Sequence, residues 1–198
     1  MAERLRLPGS RDVRATLDSA GGDRLVVACP PHPQMGGDRT DGRLRAVSDA
    51  LGNRHIDCLR FDYGPWDEGA GERADTLSAL SWAGERYDAV GLFGYSFGGA
   101  VALLAAAKAD PPPDAVSVLA PAAGSTGDLD PVRAIEDIDC PLQVVYGERD
   151  DAAAWASVVE RARSAGCTVT GVPADHFFIG QESRVADTVA TFLGRALD

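Results

Sequence analysis

The chain has 198 residues, 45% hydrophobic and 25% charged, which is enough for one domain with a substantial core and too little for two. Its formal net charge is −11, and a surface so acidic repels nucleic acid and anionic membranes, which excludes both as expected partners. No apolar run reaches the length of a bilayer span and the N-terminus lacks the apolar core of a secretory signal, so a cytoplasmic location is expected.

Taken in chain order, short apolar runs alternate with amphipathic stretches, the pattern of a parallel sheet with helices on both faces. Val13 to Asp18 alternates with period two and reads as a half-exposed edge strand. Gly21-Gly22-Asp23 turns it into the buried strand Leu25–Cys29, and so short a link implies an antiparallel pair. A polar loop from Pro30 to about Gly42 leads into a helix over 43–52, with Leu44, Val47, Ala50 and Leu51 on one face. Strand Ile56–Phe61 follows, then a glycine-rich loop over 62–71 and a helix over 72–86. Strand Ala89–Phe93 runs through Gly94-Tyr95-Ser96-Phe97-Gly98 into an apolar helix that Pro111-Pro112-Pro113 ends. Strands are expected at 115–120, 142–146 and 167–172, with helices over 152–165 and 182–197. No repeat or low-complexity linker interrupts the pattern, so residues 1–198 are expected to form one domain.

The stretch that carries chemistry is Gly94-Tyr95-Ser96-Phe97-Gly98, a G-x-S-x-G sequence between a buried strand and a helix. Three fixed positions are a short pattern, and its context makes it informative. A serine on such a turn stands clear of the sheet at a helix head, and the glycines let strand and helix approach closely. Serine needs a base, and histidine is suited to the task near neutrality. Of the three histidines, His55 precedes its strand, whereas His32 and His176 follow theirs, where catalytic groups gather in open parallel sheets. His176 is the expected base. Asp150, in the loop after the preceding strand, is the expected acid, with Asp151 in reserve. Against this, Asp150 could simply cap the next helix and His176 be an ordinary loop residue. An oxyanion site is expected from the backbone N–H of Phe97 and, because Pro30, Pro31 and Pro33 have none to give, that of Gln34. His32 is expected to shape this loop rather than act as a base. Several aromatics fall on or beside strand-end loops, and Tyr63, Trp66 and Phe177 are the expected substrate contacts.

Four segments together resemble the dienelactone-hydrolase-like branch of the alpha/beta hydrolase superfamily: His32-Pro33-Gln34-Met35-Gly36-Gly37, the Gly94–Gly98 turn, Gly147-Glu148-Arg149-Asp150 and Ala174-Asp175-His176-Phe177-Phe178. The similarity runs from Asp23 onward. It implies an α/β three-layer fold with a mostly parallel sheet of about seven strands, with nucleophile Ser96, base His176 and acid Asp150. One departure is clear: relatives carry an F-x-x-R-G-x-G-x-S-type loop after the fourth strand, and Phe61 to Gly69 lacks its arginine and serine. The stretch between Ala120 and Pro141 is too short for a cap domain, which leaves an open site.

The expected activity is hydrolysis of a small carboxylic ester or thioester, with no metal or cofactor and a small acyl molecule as partner. The alternatives are a non-catalytic binding protein of the same fold, and an acyltransferase or peptidase using the same groups. The chain is expected to be a monomer or homodimer. Lys108 is the only lysine, and Asp far outnumbers Glu. A high-GC genome would produce that bias, and so would a salt-adapted host, for which stability should rise between dilute buffer and molar KCl. Cys29, Cys58, Cys140 and Cys167 are scattered, with no metal-binding spacing, and read as small hydrophobes.

Overall fold

The computed structural model describes residues 2–9, 11–124 and 129–198. Eight strands form one sheet: β1 (Ala2–Arg6), β2 (Arg14–Asp18), β3 (Arg24–Cys29), β4 (Asp57–Phe61), β5 (Ala89–Tyr95), β6 (Ala115–Leu119), β7 (Leu142–Gly147) and β8 (Thr168–Val172). Their order is β1-β2-β4-β3-β5-β6-β7-β8. The first two pairings, β1 with β2 and β2 with β4, are antiparallel, and all the others are parallel.

The mostly parallel sheet of about seven strands is present with eight, because Ala2–Arg6 adds an outer strand; one expectation, the neighbour of β2, is corrected. Glu3, Arg4 and Arg6 are exposed there, a charged edge that hides the strand from any reading based on apolar alternation. And β2 does not pair with β3. It lies against β4, Ala15 opposite Phe61 and Leu17 opposite Leu59, and the Gly21-Gly22 link carries the chain across to β3 on the far side. Asp57 holds that crossing: its Oδ1 accepts from Ala20 N at 2.7 Å and Gly21 N at 3.1 Å, and its Oδ2 from the Tyr87 hydroxyl at 2.8 Å.

Helices α1 (Gly42–Gly52), α2 (Ala70–Gly84), α3 (Phe97–Ala106), α4 (Pro131–Ala134), α5 (Ala156–Ser164) and α6 (Glu182–Ala196) cover the two faces. One core joins α1 and α6 to the sheet through Leu44, Val47, Leu51, Val185, Val189 and Leu193. The other joins α2, α3 and α5 through Leu80, Val101, Leu103, Val158 and Val159. Almost every residue of β3 to β7 is buried on both faces, which is why these strands read as unbroken apolar runs. Between β6 and β7 the described residues form only α4 and one further 3-10 turn over Ile135–Asp137, so no cap domain covers the carboxyl edge of the sheet. Residues 125–128 of that stretch lie outside the described residues. No described helix is long and apolar enough to cross a membrane.

All four cysteines are free thiols. Burial pushes Cys29 and Cys58 up to about 12 and Cys140 up to about 11, and it raises Cys167 as well. Thiolate is the reactive form, so none should be alkylated quickly at neutral pH. Mass spectrometry after iodoacetamide treatment of native protein should show little modification. Rapid labelling of Cys29 or Cys58 would contradict the burial.

Candidate active site

Ser96 is the point where β5 becomes α3. Its backbone has φ 56 and ψ −119, a left-handed conformation that L-residues adopt at a cost. Packing holds it there. A Cβ on Gly94 would sit 2.1 Å from the Gly98 carbonyl oxygen, and one on Gly98 would sit 2.3 Å from the Pro30 oxygen and 2.4 Å from that of Cys29. Only glycine allows strand, helix and the end of β3 to come this close. Ser96 N–H donates to Leu119 O at 2.9 Å, and Ser96 C=O accepts from Gly99 N, Ala100 N and Ala122 N, so the strained backbone is fully bonded.

The loops after β7 and β8 are laced together. Glu148 N donates to Val172 O at 2.8 Å and Arg149 N to Ala174 O at 3.0 Å. Phe178, completely buried, pins the second loop, and Asp175 Oδ1 accepts from the N–H groups of Phe177 and Phe178. The result is a hydrogen-bonded line. His176 Nε2 is 2.9 Å from Ser96 Oγ, and His176 Nδ1 is 2.7 Å from Asp150 Oδ2. The Asp150 side chain is fully enclosed and that of His176 is 9% exposed. Asp150 does not cap the next helix, since α5 begins at Ala156 with Trp155 before it and no side-chain cap. Its Oδ1 instead accepts from Ala152 N and Ala153 N and closes a turn of the loop. Asp151, the reserve, is exposed and does not approach His176 in any recorded bond. Tyr95 backs the histidine: its hydroxyl donates to His176 C=O at 3.0 Å, and the Arg43 guanidinium lies 4.7 Å from its ring centroid.

The two backbone N–H groups expected to meet an oxyanion are in different conditions. Phe97 is the first residue of α3, where an N–H has no intrahelical acceptor. In the loop after β3, Met35, Gly36 and Gly37 spend their N–H groups on the carbonyls of His32 and Pro33. Gln34 N–H instead meets His32 Nδ1 at 3.3 Å. That bond is long, and a negatively charged oxygen is the stronger acceptor, so the N–H can be shared with it. His32 therefore shapes this loop, and its ring forms a three-ring cluster with Trp66 and Phe97, at centroid distances of 4.6 Å and 4.8 Å, the other two rings being 5.5 Å apart.

A cavity of about 520 Å³ opens beside the elbow, lined chiefly by His32, Trp66, Phe97, Val101, Leu104 and Leu129. Of the three expected substrate contacts, Trp66 lines it. Tyr63 does not: it is buried behind Phe97, with its hydroxyl donated to Pro30 O at 3.2 Å. Phe177 stands half-exposed on the other side, its ring edge-on to His176 at 5.4 Å. Among the described residues no cluster of His, Cys, Asp and Glu is arranged to hold a metal ion.

Sequence reasoning missed the arginine of this site. The loop after β4 lacks the arginine that the family resemblance led us to expect there, and Gly64 falls at that position when counted from Phe61. Arg11, from the β1–β2 connection, fills the space. Its Nε donates to Asp75 Oδ1 at 2.8 Å and its Nη2 to Pro65 O, while Gly64 N donates to Asp75 Oδ2 at 2.9 Å. A Cβ on Gly71 would fall 2.4 Å from the guanidinium. With buried Glu72, which accepts from Asp67 N and Gly69 N, this clamp fixes the loop that carries Trp66. Burial pushes the Asp75 carboxyl up, and the Gly64 N–H and Arg11 oppose that rise. Arg11→Ala leaves a buried carboxylate unpaired and should cost about 3 kcal/mol at neutral pH. A folded-state value raised further means stability is retained below the ordinary carboxylate range and lost as pH rises through the raised value. Denaturant melts should therefore show the deficit largest near neutrality and smallest in acid, and a deficit independent of pH would count against the clamp.

The sheet order, the strained serine between β5 and α3 and the late acid and base loops define an alpha/beta hydrolase fold. The model of the Dienelactone hydrolase family matches residues 66–188, well over half of the chain, and the protein belongs to that hydrolytic family. Among solved structures it resembles a lid-less alpha/beta serine hydrolase of Xanthomonas campestris, with 24% identity and a TM-score of 0.82 over 99% of this chain and 95% of that one. It also resembles Est1E of Butyrivibrio proteoclasticus, with 15% identity and a TM-score of 0.85 over 98% of each chain. An esterase of Pyrococcus furiosus has 15% identity and a TM-score of 0.85, over 100% of this chain and 92% of its own. No curated protein matches the sequence.

Proposed function

We propose that the protein hydrolyses small carboxylic esters or thioesters through an acyl-enzyme on Ser96. The observation that carries this reading is the unbroken line from Ser96 Oγ through His176 to enclosed Asp150, set on a strained turn. His176 takes the serine proton as Oγ attacks the carbonyl carbon, and Asp150 holds the imidazole with Nε2 free to accept. The oxyanion is met by the Phe97 N–H and shared by that of Gln34. The imidazolium returns its proton to the departing alcohol or thiol. Water, deprotonated by the same histidine, then releases the acid.

The open, largely apolar cavity favours a small uncharged acyl group over a peptide. The acidic surface supports a small-molecule substrate rather than nucleic acid or anionic membranes, in keeping with a cytoplasmic enzyme. A fluorophosphonate probe should label the folded protein at Ser96, and Ser96→Ala should not label. A folded wild type that fails to react would overturn the reading. Para-nitrophenyl esters, acyl thioesters and peptide amides assayed side by side then rank the acyl classes.

A further inference from the structure

His32 carries an unused donor at the cavity wall. Its Nδ1 accepts the Gln34 N–H, so in the neutral ring the proton resides on Nε2. The ring packs against Trp66 and Phe97 in a three-ring cluster that restricts its turning, and Gly98, packed on the Cys29 and Pro30 carbonyls, keeps its loop beside the elbow. Nε2–H has no acceptor among the described residues, and it is not one of the enclosed unpaired atoms, so a ligand can reach it. Most of the cavity wall is hydrocarbon or aromatic: Trp66, Phe97, Ala100, Val101, Leu104 and Leu129. Glu68, an exposed residue, is the one acidic residue among those lining the same cavity. A pocket with one side-chain donor and one side-chain acceptor in an otherwise apolar set of side chains is matched to a group that is both acceptor and donor, namely a hydroxyl. Glu68 at the same time repels an anionic acyl group.

We propose that this cavity selects uncharged, hydroxyl-bearing acyl groups, the hydroxyl accepting from His32 Nε2–H and donating to Glu68. The inference rests on the hydrolase reading and names the substrate class of its site. Polar partners that a bound acyl group covers discriminate, because an analogue without the hydroxyl leaves them unpaired.

The test uses matched para-nitrophenyl esters of para-hydroxyphenylpropanoic and para-methylphenylpropanoic acids, which differ only in the terminal group. Wild type should favour the hydroxyl ester by about tenfold in kcat/KM. His32→Phe retains a flat ring packed against Trp66 and Phe97 and should bring the ratio to about one, and Glu68→Leu should lower it too. Any general effect on the oxyanion loop changes both rates alike and leaves the ratio untouched. No preference in wild type, or a preference that survives in folded His32→Phe, overturns the inference. If neither ester turns over and the fluorophosphonate does not label Ser96, the hydrolase reading fails separately. The site is then judged by calorimetric titration of Ser96→Ala with the two methyl esters. Tighter binding of the hydroxyl ester that is lost on adding His32→Phe supports the selection, and equal binding overturns it.

Discussion

Ser96→Ala should reduce ester hydrolysis by at least about 10⁵-fold in kcat, with the thermal melt unchanged to within a few degrees. The side chain is half-buried and gives up one hydrogen bond, so stability hardly depends on it. Asp150→Asn is more informative. An asparagine can keep its oxygen on Ala152 N and Ala153 N and so preserve the loop. Its NH₂ then faces His176 Nδ1, which must accept, and the ring proton moves to Nε2, the atom facing Ser96. The base then offers a proton where it should take one, and kcat should fall by about 10⁴-fold in a folded enzyme. Asp150→Ala should lose the same activity and also loosen the start of the β7–α5 loop, seen as earlier proteolysis. Steady-state rates on a para-nitrophenyl ester and circular dichroism melts check all three. Retention of even a hundredth of the wild-type rate by Ser96→Ala would assign the chemistry elsewhere.

The second large effect is on folding. Gly98→Ala drives a methyl group into two main-chain carbonyls at the end of β3, 2.3 Å and 2.4 Å away, where no side chain can swing aside. Relief requires the end of β3 to lift from α3, breaking the core around fully buried Cys29 and Ala28. A loss above about 3 kcal/mol is expected, against the 1–3 typical of overpacking in a compliant core. For a chain of this size that is roughly a 10 °C fall in Tm, or failure to fold. Gly94→Ala, whose methyl would meet Gly98 O at 2.1 Å, should behave alike. Gly84→Ala is the control. It ends α2 with open space around it, so the same substitution should be neutral or stabilising by up to about 1 kcal/mol. Similar losses in all three would show that the elbow is no more tightly built than a helix end.

The parts of this molecule legible in its sequence are those whose cause is local. Strands β3 to β7 announce themselves because burial on both faces demands continuous apolar residues. The positions of Ser96, Asp150 and His176 at strand ends were legible for the same reason. What could not be read depends on residues far apart in the chain. Periodicity says that Arg14–Asp18 is a strand but carries no information on which neighbour it takes, and the short link to β3 pointed to the wrong one. Tyr63 sits on a strand-end loop like Trp66, yet Pro30 O captures its hydroxyl and Phe97 covers its ring. Arg11 is 64 residues from its carboxylate, in a short connection where nothing in the neighbouring residues points to that partner.

That last separation matters for anyone recombining this enzyme with its relatives. In a chain that encodes the arginine within the loop after β4, the loop is a portable module. Here it is divided between two distant segments of the chain: the floor comes from Gly64 and Gly71, and the peg from Arg11. A chimera that imports only a loop with an arginine of its own would bring a second guanidinium into a space already filled, beside the acidic partner Asp75. The N-terminal hairpin and the aromatic loop must therefore be exchanged together, and a library shuffled between them would be expected to lose the cavity wall while keeping every group on the line from Ser96 to Asp150.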